Sequence, residues 1–230
     1  MIFKQLFDSN SSTYTYLISS GIGREALIID PVLENTDQYI DLLSELKLKL
    51  VKVIDTHLHA DHISGMSELK NRTKCITIMG EQTKAEIVSL KIKDNEKVKI
   101  ENIELISLYT PGHTNCSYSF LMNDRVFTGD TLLINGTGRT DFQSGNSHDA
   151  YDSLFNKLLK LPEKTLVYPA HDYTGKKYST IENEKKNNPR LQVNSADEYA
   201  DIMNNLNLGD PKMMDIAIPA NAKGLTLDQL

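Results

Sequence analysis

Only two cysteines occur in the 230 residues, Cys75 and Cys116. That excludes a disulfide framework and any zinc site built from cysteine. Positive charge is not in excess either: 25 Lys and Arg face 31 Asp and Glu, for a net charge of -6. The chain carries no basic footprint for nucleic acid, and an anionic substrate needs a local basic site within an acidic protein. No apolar run approaches the ~20 residues that a membrane-spanning helix requires. Met1 to Phe7 alternate like a strand, without the apolar stretch of a signal peptide or the Arg/Ser-rich character of a transit peptide. The expectation is a soluble, cytoplasmic protein that binds neither nucleic acid nor membrane.

At this length the chain suits one α/β domain better than two. Thr13–Ile18 and Glu25–Asp30 flank a turn at Gly21-Ile22-Gly23, a hairpin pattern. Tyr39, Leu42, Leu43 and Leu46 recur at helical spacing. The β-branched run Leu48–Asp55 reads as a buried strand, and a helix start follows from Ile63 to Lys70. Strand patterns return at 75–79, 97–100, 103–108, 117–121 and 125–128, with tight turns at Glu101-Asn102 and Asn123-Asp124. The last third is helical: Tyr151, Leu154, Phe155 and Leu158 share a face, and so do Tyr199, Ile202, Met203 and Leu206. Ser179 and Ser195 each precede an acidic residue at capping-box spacing. Two strand-rich blocks, each followed by helices, predict two sheets packed face to face with helices outside.

Six histidines are present in all, and three of them crowd into Thr56-His57-Leu58-His59-Ala60-Asp61-His62. Imidazoles beside a carboxylate suit zinc, iron or manganese, whereas calcium and magnesium call for oxygen ligands alone. The cluster sits on a strand-to-helix turn that can aim several side chains at one point. Three later strand ends carry further ligand types: His113 in Thr-Pro-Gly-His-Thr, Asp130 in Thr-Gly-Asp-Thr and His171 in Tyr-Pro-Ala-His-Asp-Tyr. Taken alone, His113 is a surface or core histidine and Asp130 a turn aspartate. His148 reads as a helix-start residue. Seven candidates, His57, His59, Asp61, His62, His113, Asp130 and His171, suffice for one metal ion or for two with Asp130 bridging, and spacing does not choose.

This ligand set resembles that of the metallo-β-lactamase superfamily, and the chain is more closely similar to its persulfide dioxygenase (sulfur dioxygenase) branch. The landmarks are Leu27-Ile28-Ile29-Asp30-Pro31, Gly138-Arg139-Thr140-Asp141-Phe142-Gln143, Tyr168-Pro169-Ala170-His171-Asp172-Tyr173, Asn188-Pro189-Arg190-Leu191 and Pro219-Ala220-Asn221. The resemblance implies an αββα sandwich with the metal at one edge, formed by a single domain over 1–230 with residues from about 178 onward as a short helical extension. It also implies one Fe(II) per chain, held by His57, His113 and Asp130, a two-histidine, one-carboxylate triad with open coordination positions. His59, Asp61, His62 and His171 then surround the ligands rather than bind iron. The implied substrates are glutathione persulfide and O2, with sulfite and glutathione as products. Arg139 is the expected carboxylate grip and Tyr173 a contact to the thiol peptide. The plainer readings are a salt bridge to Asp141 for Arg139, core packing for Tyr173, and a helix stop for the Arg190 motif. Some relatives carry a cysteine after Pro-Ala-Asn, where this chain has Ala222-Lys223-Gly224. Cys116 lies near His113 in sequence but reads as buried and inert.

A homodimer and a functional link to a sulfurtransferase are further expectations from the resemblance. Two alternatives keep all seven ligands. One is a glyoxalase II-like thioester hydrolase with two metals activating a hydroxide; the region after Pro189 is short for its substrate domain. The other is a non-catalytic metal-binding module that senses persulfides or docks a partner.

Overall fold

The computed structural model describes residues 1–209 and 213–229. The first sheet takes its strands in chain order: β1 (Ile2–Asp8), β2 (Thr13–Ser19), β3 (Glu25–Ile29), β4 (Lys49–Ile54), β5 (Ile76–Gly80) and β6 (Leu90–Ile92). It is mixed, antiparallel from β1 to β3 and parallel from β3 to β6. The second sheet begins with β7 (Lys97–Ile100), β8 (Ile103–Tyr109), β9 (Tyr118–Leu121) and β10 (Arg125–Gly129). A small hairpin, β11 (Leu132–Leu133) and β12 (Gly136–Thr137), leads away. The chain rejoins the sheet at β13 (Leu166–Pro169), parallel to β10, and ends it at β14 (Ser179–Thr180).

Alternation within the strands decides which layer each side chain serves. Tyr16, Ile18, Leu27, Ile29, Ile54, Phe120, Phe127 and Tyr168 meet between the sheets in one core. Leu17, Ile28 and Val53 point the other way, against Tyr39, Leu43, Met66 and Leu69 of helices α1 (Thr36–Glu45) and α2 (Met66–Thr73). The outer face of the second sheet offers Val126 and Val167 to α3 (Ser147–Asp152) with the turn after it, α4 (Ile181–Asn187) and α5 (Ala196–Asn204) through Ala150, Leu154, Ile181, Tyr199 and Met203. Central strands are buried on both faces because the opposite sheet covers the inner face and helices cover the outer one. The layers are helix, sheet, sheet, helix, as the two-block pattern predicts. The last helix, α6 (Met214–Lys223), lays Ala217 and Ala220 against Leu33 and Ile63.

Details depart from expectation. The helix from Tyr151 to Leu158 is not continuous: α3 ends at Asp152 and passes into a π-turn over Ser153–Lys157 and a 3-10 turn over Leu158–Lys160. Thr180, not Ser179, caps α4 by accepting from Asn183 N–H, because Ser179 Oγ is committed to the buried Glu184 carboxylate. Ser195 does cap α5 through Glu198 N–H, but the Glu198 carboxylate reaches Asn194 N–H. Strands β6, β11, β12 and β14 have only two or three residues each, too few for an alternating pattern to register.

Strands β8, β10 and β13 run in one direction, since each is antiparallel to β9 or parallel to β10. Their C-terminal ends therefore share an edge with the end of β4. There the two sheets are stitched by main-chain bonds: Tyr118 N–H donates to Thr56 O at 2.9 Å and Tyr14 N–H to Ala170 O at 2.7 Å.

Candidate metal centre

All seven ligand candidates gather at that edge. His57 follows shortly after β4, His113 after β8, Asp130 directly after β10 and His171 after β13. Single ligand atoms of His57, His113 and Asp130 lie within 4.8 Å of one another. A second trio, His59, Asp61 and His62, has the same property. Glycine makes the tight packing possible at two positions. Gly129 takes φ +51° just before Asp130, a left-handed conformation that side chains disfavour. At Gly138 a Cβ would lie 2.0 Å from Asp130 O and 2.9 Å from His113 Nδ1.

Each imidazole of the first trio has its far nitrogen engaged. Thr56 Oγ1 donates to Asp30 Oδ2 (3.0 Å), so it accepts from His57 Nδ1, also 3.0 Å away. His113 Nδ1 donates to Arg139 O at 2.8 Å. These contacts fix both rings as Nδ1–H tautomers and leave the Nε2 lone pairs for a metal, the outer arrangement that ligating histidines adopt. His113 Nε2 is 3.6 Å from Asp130 Oδ2. The donor set therefore fits a metal ion.

The remaining groups form a second layer. His171 stands between two carboxylates, with Nδ1 2.7 Å from Asp130 Oδ1 and Nε2 2.7 Å from Asp61 Oδ2. Burial works against its charge, yet the two acids raise its pKa well above the usual histidine value. Conversely, burial opposes ionisation of Asp130, but His171, His113 and His57 together hold its carboxyl below the ordinary range. Asp61 is likewise held low against burial by His171 and His62. His57, enclosed and facing other imidazoles, is shifted well down, first by burial. His59 turns its Nε2 to Asp30 Oδ1 at 3.1 Å; although burial pulls it down, Asp30 raises it to about 9. The buried nitrogens His59 Nδ1 and His62 Nε2 have no hydrogen-bond partner.

Above the ligands opens a cavity of about 910 Å³, whose wall includes Asp61, His113, Asp130, Arg139, Tyr173 and Arg190. Tyr173 is 72 % exposed, which rules out core packing, and its ring lies parallel to that of His171. Arg139 lines the cavity while also gripping Asp141 in a two-pronged pair at 2.7 and 2.8 Å. Its Nη1 donates to Gly209 O, and its guanidinium covers Phe142. Substrate grip and salt bridge are thus not exclusive readings. Arg190 donates to Thr137 O, so its motif braces the β11–β12 hairpin while the residue also lines the cavity. His148 stands apart, at the start of α3, paired with Asp197. Cys116 is buried, and burial pushes its thiol pKa up.

Sequence reasoning missed the supporting groups. Asp30, at φ 50°, receives Thr56 N–H at 2.7 Å as well as Thr56 Oγ1 and His59. Gln143 and Asn221 reach the histidine loop from afar. All three lie within quoted landmark motifs, but nothing in those motifs tells that their side chains point at the cluster.

A two-sheet sandwich with histidines and an aspartate on one edge is the architecture of a hydrolase-like metalloprotein fold, and residues 9–171 match the metallo-beta-lactamase superfamily. The chain belongs to that superfamily, in its persulfide dioxygenase branch. It is 42 % identical over 226 residues to the mouse (Mus musculus) protein named persulfide dioxygenase ETHE1, mitochondrial, a match that covers 97 % of this chain and 88 % of that one. The crystal structure of ETHE1 from Myxococcus xanthus superposes with a TM-score of 0.94 at 48 % identity, over 96 % of this chain and 98 % of that one. A hydroxyacylglutathione hydrolase of Dictyostelium discoideum is 35 % identical over 191 residues, or 77 % of this chain and 70 % of that protein. The hydrolase likeness is thus shorter and weaker than that to the dioxygenases. Among the described residues, no helix is long and apolar enough to cross a membrane.

Proposed function

We propose that the protein is an iron-dependent persulfide dioxygenase acting on glutathione persulfide. The observation that carries this reading is the triad of His57, His113 and Asp130, with both Nδ1 atoms already committed, at the base of a cavity large enough for a peptide thiol. Two imidazoles and one carboxylate with open positions suit Fe(II) and its oxygen chemistry. The near full-length kinship with proteins named persulfide dioxygenase supports the same reading.

One Fe(II) per chain would be held by these three residues, and when bound it supplies the activation of O2. The chain's own groups do the rest. Thr56 and the Arg139 carbonyl orient the two imidazoles. His171, as a cation between Asp61 and Asp130, keeps both carboxylates ionised and aimed. His59 and His62 complete this surrounding layer. Arg139 and Tyr173, on the cavity wall, receive the carboxylates and peptide of glutathione. Overall, one persulfide, one O2 and one water yield glutathione, sulfite and two protons. Among the described residues, those from about 178 onward serve as a short, mainly helical extension of a single domain. A homodimer, a sulfurtransferase that delivers the persulfide and a cytoplasmic setting belong to the same proposal, although the mammalian relative is named mitochondrial.

The test is oxygen uptake by Fe(II)-loaded protein supplied with glutathione persulfide, with sulfite measured as product. Rapid hydrolysis of S-lactoylglutathione without oxygen uptake would overturn the reading in favour of the hydrolase.

A further inference from the structure

The loop from Asp55 to Ser64 joins β4 to α2 and carries His57, His59, Asp61 and His62. It belongs to no strand or helix, so its carbonyls need partners from elsewhere. Three of them are met by just two carboxamides. Gln143 Nε2 donates to Leu58 O at 2.8 Å. Asn221 Nδ2 donates to both His59 O and His62 O at 2.9 Å, while its Oδ1 accepts Ser64 N–H at 2.8 Å. Both amides arrive from far downstream in the sequence, 85 residues away for Gln143 and 162 and 159 for Asn221.

We infer that Gln143 and Asn221 form an amide clamp that sets the geometry of the metal-binding loop. They are positioning residues: neither touches the metal-facing nitrogens, yet each fixes the main chain beside a histidine. Two observations mark the clamp as built rather than incidental. Gln143 sits at φ 49°, a left-handed conformation that side chains disfavour, and its amide nevertheless reaches the loop. Asn221 is 8 % exposed and lies on α6, which Ala217 and Ala220 anchor against Leu33 and Ile63. The chemistry is specific to an amide. A carbonyl only accepts, so the isosteric acids Glu and Asp would place an acceptor against an acceptor.

The Gly138–Gln143 run then serves both histidines of the triad. Its Arg139 carbonyl anchors the His113 ring, and its Gln143 amide holds the carbonyl of Leu58, the residue next to His57. The bidentate pair between Arg139 and Asp141 closes this run on itself.

This inference rests on reading residues 57–62 as a metal loop, not on which reaction the metal performs. The test uses Gln143→Glu and Asn221→Asp in the full chain, prepared metal-free and titrated with Co(II) against a chromophoric chelator. Loss of an outer partner of this kind weakens metal binding by ~10–100-fold. That weakening, with an altered Co(II) visible spectrum and a smaller metal-induced rise in Tm, is the expected result for whichever variant folds. A merely structural role would lower the Tm of the metal-free protein and leave Co(II) affinity and spectrum as in the parent, and that result overturns the clamp. If the parent takes up no oxygen while the variants lose Co(II), the clamp stands and the dioxygenase reading falls.

Discussion

His113 Nδ1 lies 2.8 Å from the main-chain oxygen of Arg139. One residue thus reaches the site twice, by its carbonyl to the His113 ring and as part of the cavity wall. A side-chain substitution separates these two roles, since the carbonyl survives it.

Arg139→Ala is expected to raise KM for glutathione persulfide by about tenfold, as losing a charged hydrogen bond costs about 1.5 kcal/mol. The value of kcat should stay within about threefold of the parent, about 0.7 kcal/mol. Steady-state oxygen uptake distinguishes the two. A fall in kcat at unchanged KM would show that the side chain acts on the metal site instead.

His113→Ala should lose iron and activity together. Elemental analysis of protein purified without added metal should give about one iron per chain for the parent and almost none for the variant. About two zinc ions per parent chain would argue for the dinuclear hydrolase.

Glu184 is fully buried. It accepts from Asn135 N–H at 2.9 Å, Asn188 Nδ2 at 2.8 Å and Ser179 Oγ. It ties α4 to the loop before β12. Glu184→Ala leaves these donors unsatisfied, at a cost of about 3 kcal/mol. Urea unfolding of the metal-free protein measures the loss, and a change below about 0.5 kcal/mol would contradict the network.

Asp55 is buried, with Oδ1 unpartnered. Burial, helped by Asp30 and opposed by His59, pushes its carboxyl from 3.8 up to about 7. The folded state therefore keeps a proton that the unfolded state gives up. The stability from Asp55 is complete below about pH 4 and is lost as pH rises to about 7. Asp55→Asn removes this dependence. In the metal-free protein, the variant should gain stability over the parent at pH 8 relative to pH 4.5, read as the difference in urea midpoints. An equal difference at both values would refute the buried neutral acid.

The sandwich was legible because Tyr16 and Ile18 face one layer while Leu17 faces another, and alternation of this kind is written directly in the strands. The ligand types were legible because histidines that follow strands are rare and their chemistry is narrow. The support was not. Whether Thr56 Oγ1 points to Asp30, or Asn221 to His59 O, depends on side-chain direction across 26 or 162 residues, and no local pattern encodes it. Arg139 shows the same limit: composition foretells a cation in the site but not that Asp141 already holds it. The helix over 151–158 was misjudged in form, since the apolar face continues unbroken through a π-turn that changes only the backbone register.

The ligand edge has a mechanical meaning too. His57 comes from the first sheet and His113 and Asp130 from the second, so an ion held by the three fastens one slab to the other like a clasp. The face between the slabs is already sealed by aromatic packing around Tyr16, Phe127 and Tyr168. Without the ion, parting should begin at the clasp, where His57, His59, Asp61, His62, His113, Asp130 and His171 crowd together, and spread toward the aromatic seal last. Amide exchange in the metal-free protein should then be fastest at Tyr14 and Tyr118, whose N–H groups make the bonds between the sheets, and slowest at Phe127, reversing nothing in the fold but ranking its edges by strength.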